Sequence, residues 1–291
     1  MASFRISAFA DEASDKLEGQ IAALKRNGIG YIEPRNASGN IIQKTDEELY
    51  AIAKALSDAS IGVSSLGSPI GKFKIDEDFE IHLQDYHRAL RACEILGTKN
   101  MRIFSFFVPQ ERLAECRDEV MRRMSVLLEM ADKAGVTLCH ENESKIYGQN
   151  PDEVADLLTS LPSLKGIFDA ANYVMNDCDP IRGIEATLPS MEYLHVKDAL
   201  AEKKSIVPAG MGDGCEAEVL RRVDAAPDDT VFLTLEPHLQ VFEAYKRIDS
   251  HQLKNELSFE TPDEAFDYAA SSLKKLLTEL HYHEENGLWK K

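Results

Sequence analysis

Glu141, Asp169, His195 and Glu236 lie 28, 26 and 41 residues apart, each at or near the end of a short apolar run. The runs are VTLCHE (136–141), LKGIFD (164–169), MEYLHVK (191–197) and VFLTLE (231–236). Carboxylates from two Glu and one Asp, with one imidazole, form a shell for a divalent cation. Such an oxygen-rich set suits Mn²⁺, Mg²⁺ or Co²⁺, and Zn²⁺ also accepts carboxylates. A cation so held can chelate a sugar carbonyl with its neighbouring hydroxyl and acidify the adjacent C–H. Glu141 and Glu236 could then flank the substrate, one removing a proton and the other returning it. A single acidic residue at a strand end more often caps a helix or faces solvent. Four in successive runs, all at the same end, call for a common purpose.

That purpose requires elements that deliver all four ends to one place. FRISAFA (4–10) is followed by a helical pattern with Leu17, Ile21 and Leu24 and a stop at Gly28. IGYIE leads to a helix opened by a capping-box pair, Thr45 and Glu48; IGVSSLG and NMRIFSFF each precede a long amphipathic stretch. The second half repeats the scheme, with helices expected from about Pro151, after Asp179, near Glu216 and from Asp263 to Leu280. Eight strands alternating with eight helices predict parallel pairing, closed as a (β/α)8 TIM barrel that spans residues 1–291 as a single domain. In that fold all strand C-termini share one mouth. A doubly wound open sheet is the alternative, but no GxGxxG follows the first strand, and an open sheet would spread the four residues along a line.

Alternation along a strand sets Glu141 and His140 on opposite faces and His195 and Lys197 on the same one. His140 is therefore read as a packing residue. Lys197 either holds a substrate oxygen or phosphate or neutralises the acidic cluster, and His238 offers the same choice. The glycines of PAGMGDG (208–214) could approach a ligand closely or simply make a turn. Phe104, Phe106 and Phe107 could wall a sugar pocket, with core packing as the default. The longest connection, about 239–261, has the length of a lid. The tail HYHEENGLWKK, with the single tryptophan Trp289, is expected on the barrel exterior or on another subunit, which leaves a homo-oligomer open.

Composition narrows the partners. The chain has 291 residues, 44% hydrophobic and 29% charged, which argues for an ordered core. A formal net charge of −17 disfavours nucleic acid, whose binding depends on Lys and Arg displacing counterions. Five widely spaced cysteines without a CxxC pair suggest reduced thiols in a cytoplasm. No run has the apolar length of a membrane span, and no signal-peptide pattern opens the sequence.

The chain resembles the xylose isomerase-like TIM-barrel superfamily, in particular its sugar phosphate isomerase/epimerase group. The likeness is carried by CHENE (139–143), IFDAANY (167–173), YLHVKDA (193–199), PAGMGDG (208–214) and LTLEPH (233–238), in family order. It implies one divalent metal ion on Glu141, Asp169, His195 and Glu236, with Glu141 and Glu236 as acid and base. The substrate implied is a small sugar, contacted by Asn172, Lys197 and His238. Asn172 stands where ketose 3-epimerases carry a His or similar polar residue. Tyr147 and Ala201 replace a substrate-contacting Glu and Arg, and Glu143 replaces a His. The resemblance therefore specifies the machinery more fully than the sugar. An inosose-type dehydratase shares the first proton transfer; an AP-endonuclease-like nuclease and a non-catalytic metal-binding barrel share the fold.

Overall fold

The computed structural model describes residues 2–226, 230–240 and 257–291. Eight parallel strands form the ring: β1 (Ser3–Ala8), β2 (Tyr31–Ile32), β3 (Gly62–Val63), β4 (Asn100–Ile103), β5 (Thr137–Glu141), β6 (Lys165–Asp169), β7 (Met191–Val196) and, after a hairpin, β10 (Thr230–Leu235). The intervening hairpin pairs β8 (Asp198–Leu200) with β9 (Ser205–Val207) in antiparallel register. β1 pairs with β10, and the order continues through β7, β6 and β5 to β4. The remaining gap is closed by β2 and β3, with Glu33 N–H donating to Ala8 O on one side and Leu66 pairing with Met101 on the other. The TIM-barrel expectation is met.

Helices α1 (Leu17–Arg26), α2 (Asp46–Asp58), α3 (Phe79–Leu96), α4 (Leu113–Ala134) and α5 (Pro151–Ser160) return the chain between strands. α6 (Ala170–Met175), α7 (Pro180–Thr187), α8 (Glu216–Asp224) and α9 (Pro262–Glu279) do so in the second half. Their ends follow local chemistry. Thr45 and Glu48 form the expected reciprocal cap of α2, and Asn150 with Glu153 forms another on α5, where Pro151 sits in the first turn. α6 was not expected: it starts directly at the end of β6 because Asp169 caps it, accepting from Asn172 N–H at 2.9 Å. The connection expected as a lid falls largely at 241–256, outside the described residues.

The two faces of each strand bury different things. Outward residues such as Phe4, Met101, Leu138, Phe168, Leu194 and Leu233 join the main core beneath the helices. Inward, Cys139, Ile167 and Tyr193, with Phe232 against them, form a separate apolar floor. Glu141, Asp169 and His195 stand two residues further along the same strands, so alternation places them on that floor, one layer nearer the mouth. The tail folds back as a hairpin, β11 (His283–Glu285) and β12 (Leu288–Lys290), turned by Asn286 and Gly287 at positive φ. Trp289, buried, pairs with Phe4 of β1, so the tail packs on its own barrel.

The loop after β3 passes close to the end of β4. A Cβ on Gly71, whose φ is +89°, would lie 1.9 Å from the carbonyl oxygen of Phe104, whereas at Gly97 (φ +72°) it would meet nothing within 4 Å. Gly97→Ala is expected to lose about 1–2 kcal/mol from the left-handed backbone alone. Gly71→Ala adds a backbone clash and should lose clearly more, beyond about 3 kcal/mol. Urea midpoints of the two variants, compared with the parent, check the order.

Candidate metal centre

The register brings the predicted residues together. Asp169 lies directly across from His195, and His195 from Thr234, while Glu236 N–H donates to Val196 O at 3.1 Å. Ligand atoms of Glu141, Asp169, His195 and Glu236 all fall within 4.8 Å of one another, and all four side chains are buried. His195 Nδ1 is 3.1 Å from Glu141 Oε1 and 3.6 Å from Glu236 Oε2. Its other nitrogen, Nε2, lies 3.4 Å from Glu33 Oε2. A carboxylate behind one imidazole nitrogen orients the ring so that the other can ligate a metal. His195 Nδ1 and Asp169 Oδ2 are buried without an aligned hydrogen bond. A buried imidazole nitrogen and a carboxylate oxygen held by ion-pair contacts rather than aligned hydrogen bonds, among converging carboxylates, fit a divalent cation, and the cluster could hold one.

Lys197 lies between two of the acids, with Nζ 3.0 Å from Asp169 Oδ2 and 3.2 Å from Glu236 Oε2. Asn172 donates through Nδ2 to Asn142 O at 2.8 Å and reaches Glu141 Oε1 at 3.3 Å. His238 stands at the edge, with Nδ1 3.5 Å from Glu12 Oε1 and 3.9 Å from Glu236 Oε1. His140 points the other way, its Nε2 2.8 Å from Ser105 Oγ. Glu143 pairs with Lys72 at 2.9 Å, and Lys72 lies 4.5 Å from the centre of the Phe104 ring. Phe106 packs on Phe79 and His82 under the helices. Tyr147 is committed to Asp156, to which its hydroxyl donates at 2.6 Å, and Ala201 is exposed in the β8–β9 turn.

The glycines of the 208–214 loop approach an anion that belongs to the chain itself. Gly212 and Gly214 N–H groups each donate to the Asp198 carboxylate at 2.8 Å, with Ala199 N–H as a third donor at 2.8 Å. A Cβ at Gly212 would lie 2.5 Å from Asp198 Oδ1. The amides that a phosphate would need at this loop are thus used to hold the residue next to Lys197.

Sequence reasoning missed the charged residues of the first four strands. Arg35 donates to Asp11 through Nε and Nη2, both at 3.1 Å, and through Nη1 to Glu236 Oε1 at 2.8 Å. Arg102 Nη1 lies 3.4 Å from Glu141 and 3.9 Å from Glu236. Glu33 also accepts from the Tyr193 hydroxyl at 2.9 Å, tying His195's partner to the barrel floor. The signal was present in IGYIEPR and NMRIF, where charged groups stand in or just after an apolar run.

Burial acts on all of these charges, and neighbours decide the outcome. Burial, with Arg123 adding to it, drives His82 down to about 4; burial takes His140 to about 4 against Glu141, and, helped by Lys197 and Arg35, takes His238 to about 3 against Glu236, so these rings are neutral. It opposes charge on His195 too, but Glu141 and Glu33 outweigh it and push the imidazole up to about 10. Asp169 is raised by burial to about 7, against Lys197 and with Glu141 and Glu236 pushing the same way. Glu236 is held well below the usual range because Lys197 and the other cations around it overcome burial. Glu12 is raised by burial to about 8.

A parallel eight-stranded barrel with its acidic cluster at the C-terminal mouth defines a class, and the comparisons give its family. The xylose isomerase-like TIM-barrel model matches residues 21–248, and the chain belongs to that family. Comparison with curated protein sequences gave no match. Among solved structures, the probable 3-DHS dehydratase AsbF of Bacillus anthracis is 14% identical, covering 94% of this chain and 99% of its own, with a TM-score of 0.71. An L-ribulose 3-epimerase is 16% identical over 97% and 96% of the two chains, TM-score 0.69. A xylose isomerase-like TIM-barrel protein of Mycobacterium smegmatis, in complex with magnesium, is 14% identical over 96% and 97%, TM-score 0.66. At such identities the likeness is one of fold. No helix among the described residues is long and apolar enough to cross a membrane.

In chelator-treated protein, ¹⁵N spectra should show His195 as imidazolium at neutral pH, deprotonating near pH 10. Because the folded value lies above the usual 6.5, its contribution to stability is complete below about pH 6.5 and is lost as pH rises through about 10. Glu33→Gln should shift that deprotonation to lower pH; an unmoved titration would remove Glu33 as its cause.

Proposed function

We propose that the protein is a metal-dependent isomerase or epimerase of a ketose or aldose, free or phosphorylated, acting by proton abstraction next to a carbonyl. The observation that carries this reading is the disposition of Glu141 and Glu236. Each offers one oxygen to the shared ligand cluster, Oε1 of Glu141 and Oε2 of Glu236 lying nearest His195 Nδ1. The second oxygen of each faces an arginine, Arg102 for Glu141 and Arg35 for Glu236. Two carboxylates on well-separated strands, flanking one cation position, are what a proton transfer from one face of a carbon to the other requires.

One divalent ion, of the Mn²⁺, Mg²⁺, Co²⁺ or Zn²⁺ class, held by Glu141, Asp169, His195 and Glu236, supplies Lewis acidity that polarises a chelated carbonyl. The protein's own residues do the rest. One glutamate takes the proton from the α-carbon and the other, or the same one, returns it. Lys197 and Arg102 provide fixed positive charge for the oxygen that becomes negative in between. Asn172, Lys197 and His238 orient hydroxyls around the mouth. The L-ribulose 3-epimerase of like fold is named for an activity of this class, and the barrel of like fold in complex with magnesium supports a divalent ion, while the probable dehydratase is named for the alternative.

Dehydration is the second reading, favoured by one observation: Tyr147, in the position of an epimerase substrate contact, is turned onto Asp156. The two differ in products. Incubated with ketoses and Mn²⁺ in D₂O, an isomerase or epimerase places deuterium at the carbon next to the carbonyl with no change in composition, whereas a dehydratase yields a product lighter by one water. Glu141→Gln and Glu236→Gln should each lower kcat by about 10²–10⁴-fold; unchanged turnover in both would overturn the acid–base assignment.

Metal binding should also release protons. Since His195 carries a proton up to about pH 10 in the metal-free protein, a cation must displace it at neutral pH. Calorimetric titration with Mn²⁺ in buffers of different ionisation enthalpy should give about one proton released per ion near pH 8.

A further inference from the structure

Glu236 belongs to two clusters. Its Oε2 faces His195 and Lys197, whereas its Oε1 faces Arg35 at 2.8 Å and His238 Nδ1 at 3.9 Å. On this second side Glu12, Glu236 and His238 again place ligand atoms within 4.8 Å of one another, all from buried side chains. Asp11, also buried, adds a further carboxylate there. A carboxylate presenting one oxygen to each of two cation positions is the bridge that two-metal sites use. The second position is already taken. The Arg35 guanidinium lies 3.1 Å from Asp11, 3.3 Å from Glu12 and 2.8 Å from Glu236, and is itself buried. The Phe9 ring packs on it, 4.3 Å from ring centre to guanidinium carbon, and also meets His195 edge-on at 5.1 Å.

We propose that Arg35 is a built-in second cation, which fixes this centre as a one-metal site and so determines the class of substrate it accepts. The proposal rests on the reading of the first cluster as a single-ion centre. A guanidinium stays charged and satisfies several carboxylates through its planar fork, as a metal ion would. It has no open coordination position, so it can neither ligate a substrate oxygen nor activate a water. Lewis acidity is then confined to one point, which suits a vicinal carbonyl and hydroxyl on a sugar. An in-line displacement at a phosphodiester that depends on paired ions is denied its second ion.

The test counts ions. After equilibrium dialysis against Mn²⁺ at a concentration that saturates the parent protein, elemental analysis should find one ion per chain in the parent and two in Arg35→Ala. The double variant Glu12→Gln/Arg35→Ala should return to one. Arg35→Gln, neutral but closer in size, serves as the second variant should the alanine protein fail to fold, and is also expected to bind two. Two ions in the parent, or one ion in both neutral variants, would overturn the proposal. A parent that binds none removes the single-ion reading itself and the proposal with it.

Discussion

Like charges crowded in a dry place repel, and the mouth of this barrel is built around that fact. Asp11, Glu12, Glu33, Glu141, Asp169 and Glu236 are all buried there, with Arg35, Arg102 and Lys197 as the permanent counter-charges. In a low-dielectric interior each unpaired carboxylate costs several kcal/mol or is forced to take up a proton. The cations are therefore not ornaments of the site. Arg35 spans three acids, Lys197 spans two, and His195 is driven to imidazolium between Glu141 and Glu33. A charge set with acids in excess, rigidly held, is suited to receive a divalent ion in exchange for a proton.

Rigidity comes from beneath and beside. The floor of Cys139, Ile167, Tyr193 and Phe232 lies immediately under the ligands, and Tyr193 anchors Glu33 through its hydroxyl. Asn142 and Asp169 exchange a pair of hydrogen bonds across β5 and β6, at 2.9 and 3.0 Å. Just past β7, the glycine loop grips Asp198, which fixes the backbone that carries Lys197. Glu33, Asp169 and the backbone carrying Lys197 are thus each held by a contact outside the cluster.

The barrel and the second-half ligands were legible because strand alternation and a shared strand end are properties of sequence. Glu141, Asp169, His195 and Glu236 follow runs long enough to show a period. Glu33 and Arg35 escaped because β2 has only two residues, Tyr31 and Ile32, and offers no alternation to read. Arg102 sits inside β4 itself, where a charged residue looks like an interruption of the strand rather than a group aimed inward. The glycines of PAGMGDG announced a close approach, but their partner, Asp198, could be found only in three dimensions. Asn286 and Gly287 carry a hairpin signal in the tail, although nothing local says which strand that hairpin will join.

That hairpin bears on how the ring is assembled. The backbone bond from the end of β2 to β1 lies near the upper end of β1, at Ala8, and lower on β1 Phe4 pairs with Trp289 of β12. Phe4 pairs with Val231 of β10 on one side and with Trp289 of β12 on the other, so its second partner is synthesised after every strand of the ring. Until then the nascent barrel carries an open seam of unpaired backbone, the kind of edge that recruits strands from other chains. Sealing joins residues 285 positions apart, so the final locking of β1 belongs among the slow, long-range events of folding.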